Sequence, residues 1–276
     1  MKEADKEKEA GRKRGQDMRM YFRYMKLAFR GQLQYRASFL MTLAAQMLVP
    51  FTIFAGMLLL FDRFHRLGEW SVDEVMLCFA CTHIAFALSE CFARGFDLFS
   101  GLVSQGEFDR VLVRPRNTVL QVLGARFEFS RIGKVALFSV VLGIALTRLS
   151  LDWNPLRVLA LVLMIVCGSL VFTAIFMMAA TACFWTIQGI EFVNIFTDGG
   201  REMAQYPLDI YAKAFTRFFT FIIPFGLVNY LPLRWVLGRP DAQPWQAFLP
   251  LAALLFLVPA VMLWRHGVRR YQSAGS

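Results

Sequence analysis

Residues Leu156 to Trp185 read LRVLALVLMIVCGSLVFTAIFMMAATACFW, with one charge, Arg157, near the start. A helix crosses a bilayer with about 20 apolar residues, so this run spans with room to tilt. Inside hydrocarbon every backbone N–H and C=O must pair within the chain, which leaves helices or closed barrels. Continuous apolarity without a two-residue alternation selects the helix. The stretch therefore predicts an all-α, polytopic membrane bundle.

The flanks repeat the theme. Leu151-Asp152-Trp153-Asn154-Pro155 is a tight turn, preceded by a span over Val135–Leu149 that borrows Phe129–Gly133. Ala37–Phe61 and Val75–Phe96 are two earlier spans, the first with Pro50 near its middle, joined by a short polar loop carrying Trp70 as an interfacial anchor. Phe248–Trp264 is the last span and ends in Arg265, Arg269 and Arg270. Composition agrees: 57% of the 276 residues are hydrophobic, above the roughly 45–50% of soluble domains. Mean hydropathy is +0.48.

Between residues 186 and 236 the pattern is broken. Ile187–Phe196 is apolar but short, and Asp198, Arg201 and Glu202 follow it. Ala214–Val236 is apolar again but contains Pro224 and Pro232. One crossing comes from this region, because Lys and Arg gather in the N-terminal segment, in residues 100–134 and at the C-terminus. That asymmetry puts both termini in the cytoplasm, which requires an even number of spans, about six.

The N-terminal residues split in two. Residues 1–17 are charged and lack large apolar side chains, so a disordered tail is expected. From residue 18 to 276 the chain reads as one membrane domain. It opens with a basic amphipathic helix over Met18–Arg36, in which Arg19, Arg23, Lys26 and Arg30 alternate with Met20, Tyr21, Tyr24 and Leu27.

The net charge of +10 does not indicate nucleic acid. The cations lie between apolar runs, where they face lipid headgroups. No G-x-x-x-x-G-K-[ST] loop is present to cradle phosphates, nor HExxH, nor Gly-x-Ser-x-Gly. His65, His83 and His266 are scattered, and the five cysteines sit in apolar segments, so no metal or cofactor is expected on this chain. Within the second span His83 and Glu90 share a face, and Arg94 stands four residues beyond Glu90, an ion-pair spacing. Asp198, Arg201 and Glu202 also fall at helical spacing. Glu90, Arg94, Asp198, Arg201 and Glu202 are thus intramembrane ion pairs or the lining of a translocation path.

Between the second and third spans lies Ser104–Pro115. Phe108, Val111 and Leu112 share one helical face, bounded by Gly106 and Pro115. Gly106-Glu107-Phe108-Asp109-Arg110-Val111-Leu112-Val113-Arg114-Pro115 resembles the G-x-F-D-x-x-L-x-[KR]-P pattern of a largely uncharacterised branch of type-2 ABC transporter permeases. Gln205–Tyr211 and Ile222–Pro232 resemble further motifs of that branch. The resemblance covers Met18 to about Tyr271. It implies an elbow helix at 18–36 and a coupling helix at 104–115 that docks on a separate ABC ATPase. Phe108, Asp109, Arg110, Leu112 and Arg114 would then make the contact, with Phe108 and Leu112 as apolar anchors. It also implies a fifth span at Gly189–Tyr206 and a re-entrant hairpin at Ala214–Val236; a fifth span at 214–236 is the alternative. The implied protein is an exporter subunit of the bacterial inner membrane, dimeric with an identical or sister permease, with ATP and Mg on the partner ATPase. An intramembrane lipid-modifying enzyme and a non-transporting scaffold are the other readings.

Overall fold

A computed structural model describes the backbone of residues 2–185 and 190–272, with side chains from 17 to 185 and 197 to 272. It is helical throughout, with no strand among the described residues. The chain opens with α1 (Lys2–Gln34) and α2 (Arg36–Phe64), separated by Tyr35 alone. After α3 (Val72–Phe92) come four short helices at one end of the bundle: α4 (Arg94–Asp97), α5 (Phe99–Ser104), α6 (Phe108–Val113) and α7 (Thr118–Leu123). The long helices α8 (Ile132–Arg148) and α9 (Pro155–Ala182) follow, then α10 (Ile190–Ala204), α11 (Lys213–Phe221) and α12 (Leu231–Val236), and last α13 (Leu249–Ala253) and α14 (Leu257–Arg270).

Among the described residues, five stretches are long and apolar enough to cross a membrane: α2, α3, Phe129–Arg148, α9 and Pro244–Arg270. Their ends are set by local chemistry. Ser71 and Glu74 close a reciprocal cap at the start of α3, and Asn154 accepts from Arg157 N–H ahead of Pro155 in α9. Helix α3 is the hub, packed by α8 and α9, and almost every side chain from Val75 to Cys91 is buried. Helix α9 comes close because it carries Gly168, where an added Cβ would stand 3.0 Å from the Ala85 methyl.

The two ends of the bundle are distinct. At one, Trp70 donates its indole N–H to the Asp209 carboxylate, 2.9 Å away, beneath the Arg239 guanidinium. Trp70, expected as an interfacial anchor, is buried and locks two chain segments together. At the other, Phe108 packs with Trp264 from the last helix and Tyr271 just after it.

These ends locate the broken region. Helix α9 finishes at the Phe108 end, and α10 rises until the Ala204 carbonyl meets Thr82, halfway along α3. Residues 205–209 complete the passage, since Asp209 reaches Trp70. Helix α11 and the stretch Gly226–Val236 then bend by 86° at Pro224. Both their outer ends return to the Trp70 end: Thr216 donates to the Leu208 carbonyl, and Arg239 pairs with Glu74 at 3.0 Å. The bent pair is a hairpin that enters and leaves on one side, and the fifth passage is α10 with 205–209. Gly189, expected to begin it, lies outside the described residues. Helix α1, through Asp17 and Arg116, and Tyr271, through Phe108, lie at the same end.

Helix α1 lies across the Phe108 end. Gln32 donates to the Phe127 carbonyl and accepts from Phe129 N–H, while Tyr21 packs on Phe127. Arg19, Arg23, Lys26 and Arg30 face outward. The backbone of residues 2–17, expected as a disordered tail, continues this helix. Glu, Lys, Ala and Arg are good helix formers, and extension from a docked helix carries no nucleation cost. Asp17 is buried and bonds Arg116 at 3.1 Å.

Candidate functional site

The polar groups inside the bundle begin on α3. Glu90 does not pair with Arg94 as their spacing suggests. Helix α3 stops at Phe92, and Ala93, with ψ near 17°, turns the chain before Arg94 can fold back. Glu90 instead receives Arg131 at 2.9 Å and Lys134 at 2.8 Å, both from the start of the third passage. Arg94 bonds Asp97 and, through Nε, Glu128 at 2.8 Å. Glu128 also reaches Arg131, 3.3 Å away. The result is one alternating chain: Asp97, Arg94, Glu128, Arg131, Glu90, Lys134. Each buried charge has an opposite neighbour, without which it would be untenable. Burial pushes the Asp97 carboxyl above the usual range, and Arg94 opposes that shift.

A second chain runs along α10. Arg201 bonds Asp198 at 3.2 Å and Glu202 at 2.6 Å, so these residues do pair with one another. Gln205 donates to Glu202 and presents its amide oxygen to His83 Nε2, 2.8 Å away. An ionised Glu202 can only accept, which fixes the amide orientation and makes His83 Nε2 the donor. The ring of His83 stacks on Phe138. Just beyond, the Ala204 carbonyl ends α10 without a helical partner. Thr82 Oγ1 donates to it at 2.8 Å and Asn229 Nδ2 at 3.0 Å, clamping the hairpin to α3.

Among the described residues no ion pair joins the two chains. They flank a cavity of about 240 Å³ lined by Gln46, His83, Phe86, Arg131, Lys134 and Arg201. Gln46 accepts from Arg131 at 2.9 Å. Pro50 has no N–H for the Gln46 carbonyl one turn earlier, so α2 is weakened where it borders the cavity. Of these lining residues only Arg201 was singled out from the sequence as a path residue. Arg131 and Lys134 were legible only as cations at the head of an apolar run, three residues apart and so on one face.

The charged segment after α3 is built differently. Gly106 takes a left-handed φ of 67°, which turns the chain into α6, a helix of six residues and not the twelve expected from 104 to 115. Phe108 is fully buried. Its ring lies 4.9 Å from Phe99, 5.5 Å from Phe184 and 5.1 Å from Tyr271, centre to centre. Trp264 completes the cluster and donates its N–H to Thr118 on α7. Phe108 is therefore an anchor into the bundle and not a surface anchor for a partner. Aromatic side chains from nearby Phe99 and from two distant segments surround it, and burial there is worth about 2 kcal/mol or more. The exposed side of α6 carries Arg110, Val113 and Arg114 with part of Leu112; Asp109 is half-buried. Val113, 84% exposed, is the apolar group that the pattern did not single out.

Among the described residues no group of His, Cys, Asp and Glu could hold a metal ion. Neither a curated protein nor a solved structure matches the chain. The sequence profile described as ABC-2 family transporter protein matches residues 47–275, from the middle of α2 to the C-terminus. That span takes in every passage after the first, the hairpin, and the segment that holds Phe108. The chain belongs to the ABC-2 transporter family, as a membrane-spanning permease of an ABC transporter.

Proposed function

We propose that this chain is the permease subunit of an ATP-driven exporter in a bacterial inner membrane, with the Phe108 end in the cytoplasm. Two such subunits, identical or sister chains, enclose the path. ATP and Mg reside on separate ATPase subunits that dock against residues 104–115. The observation that carries this reading is the division of α6 into two faces. Phe108 fixes it to the ends of α9 and α14, while Arg110, Val113 and Arg114 stand free of the bundle. A helix so mounted moves with the passages it is anchored to. Force from closing ATPase subunits would reach α14 through the aromatic cluster, and the path would open to the other side.

The test is co-purification of the ATPase in mild detergent from the native host. Val113→Asp combined with Arg110→Glu and Arg114→Glu should leave thermal stability of the permease unchanged. If Val113 is a hot spot, association falls by about 2 kcal/mol, roughly 30-fold. Undiminished association would remove the coupling role from this face.

A further inference from the structure

We infer that the cavity between α2, α3, α8 and α10 binds the anionic headgroup of an amphiphile, a phosphate or carboxylate carried on an acyl tail. Three cations, Arg131, Lys134 and Arg201, line one void together with the amide of Gln46 and the imidazole of His83. Among the described residues no carboxylate lines it. Glu90, outside the lining, pairs with both Arg131 and Lys134, and the Asp198 and Glu202 side chains that pair with Arg201 are 59% and 45% exposed. The wall facing the void is thus positive although each cation has a partner elsewhere.

Cations inside a membrane are costly, and when they border a cavity they mark an ion or substrate path. Here Arg201 is pinned over the Phe86 ring at 4.8 Å, and its Nε is buried with no hydrogen-bond partner. An oxyanion in the void would meet charge-assisted donors from three sides, among the stronger hydrogen bonds a protein can form. The volume holds one phosphate or carboxylate with a few waters at about 30 Å³ each.

The ligand's other half is set by the mouth. On the α2 side Ala45 is exposed and Val49 is 63% exposed, continuous with the outward apolar row of Leu48 and Phe51. A hydrocarbon tail can lie along that row while its headgroup enters the void. His83 stands midway along α3, so the headgroup would sit well below its usual plane in the bilayer. This site is defined on one chain and needs no ATPase, so it stands or falls apart from the coupling reading.

The experiment uses the full-length chain in neutral detergent, with bound lipid counted by native mass spectrometry. The probes are phosphatidylglycerol, phosphatidylcholine and inorganic phosphate. One saturable phosphatidylglycerol per chain is expected, with phosphatidylcholine weaker and inorganic phosphate unable to displace it. Removing the charge in Arg201→Gln should weaken phosphatidylglycerol about fivefold, and Lys134→Gln with it about 25-fold. Arg201→Lys should restore most of the affinity. Asp198→Asn, which removes a half-exposed counter-charge, should tighten binding several-fold and keeps the test open if the double variant fails to fold. Equal binding by the wild type, Arg201→Gln and Asp198→Asn would overturn the site. Inorganic phosphate competing as well as the lipid would overturn the amphiphile. ATPase co-purification is unaffected by either failure, and its own failure leaves the lipid count unchanged.

Discussion

Helices α2 and α3 are neighbours of similar apolarity, yet 11% of the most apolar stretch of α2 is buried against 89% in α3. Hydropathy measures whether a segment can leave water, and lipid and protein interior satisfy it equally. What separates the two is where polar groups fall. Helix α3 carries Thr82, His83, Ser89 and Glu90, each bonded to another helix or, for His83, to Gln205 just past the end of one. Around α2 the outward row is Leu40, Met41, Leu48, Val49 and Leu59, and only Pro50, Met57 and Phe61 are buried. Polar residues in a span are affordable only where partners exist, so they mark the central helix.

The contrast is broken most sharply at Glu90. Glu90→Ala takes from Lys134 its carboxylate partner and leaves Arg131 with Glu128 alone, and loss of one partner from a buried pair costs about 3–5 kcal/mol. Thermal unfolding in detergent should show the drop, and Glu90→Ala with Lys134→Met should recover part of it as a non-additive gain. A Glu90→Ala protein that melts like the wild type would mean that water screens the pairs and they add nothing to stability.

A smaller effect is expected where α9 meets α3. Gly168→Val places methyls against Ala85 and Val228, whose atoms already lie 3.0 and 3.1 Å from the site of the first carbon. Overpacking of this kind costs about 1–3 kcal/mol. The same melting experiment checks it, with Gly56→Val on α2, where nothing lies within 4 Å, as the silent control.

The smallest effect belongs to α2 itself. Leu59→Ala or Met41→Ala should shift the stability of a single chain by no more than about 0.5 kcal/mol, as at exposed positions generally. If two permease chains meet along α2, these variants lower the dimer fraction in light scattering while leaving the monomer's melting unchanged. A loss above about 1 kcal/mol in the monomer would place α2 in the core after all.

Much of this architecture is legible in the residues. Long apolar runs give the passages. Pairings were less so. Glu90 and Arg94 have helical spacing, but the helix between them ends at Ala93, and cations from 41 and 44 positions later take Glu90 instead. The spacing of Asp198, Arg201 and Glu202 did survive, because α10 continues through all three. Phe108 shows the other limit. At the head of a six-residue helix it can face a partner or the bundle, and Phe184, Trp264 and Tyr271 decide the matter from far along the chain. Residues 2–17 gave no sign of a core and need none, since their helix is inherited from the docked turns that follow.

The two faces of α6 also bear on how such a chain can diverge. Its inner residue answers to the packing of Phe99, Phe184, Trp264 and Tyr271, and any change there must be matched by several others. Arg110, Val113 and Arg114 answer to whatever lies outside, and each can be replaced singly without disturbing the cluster. A gene copy could therefore acquire a new partner by drifting at three codons while its internal mechanics stayed fixed.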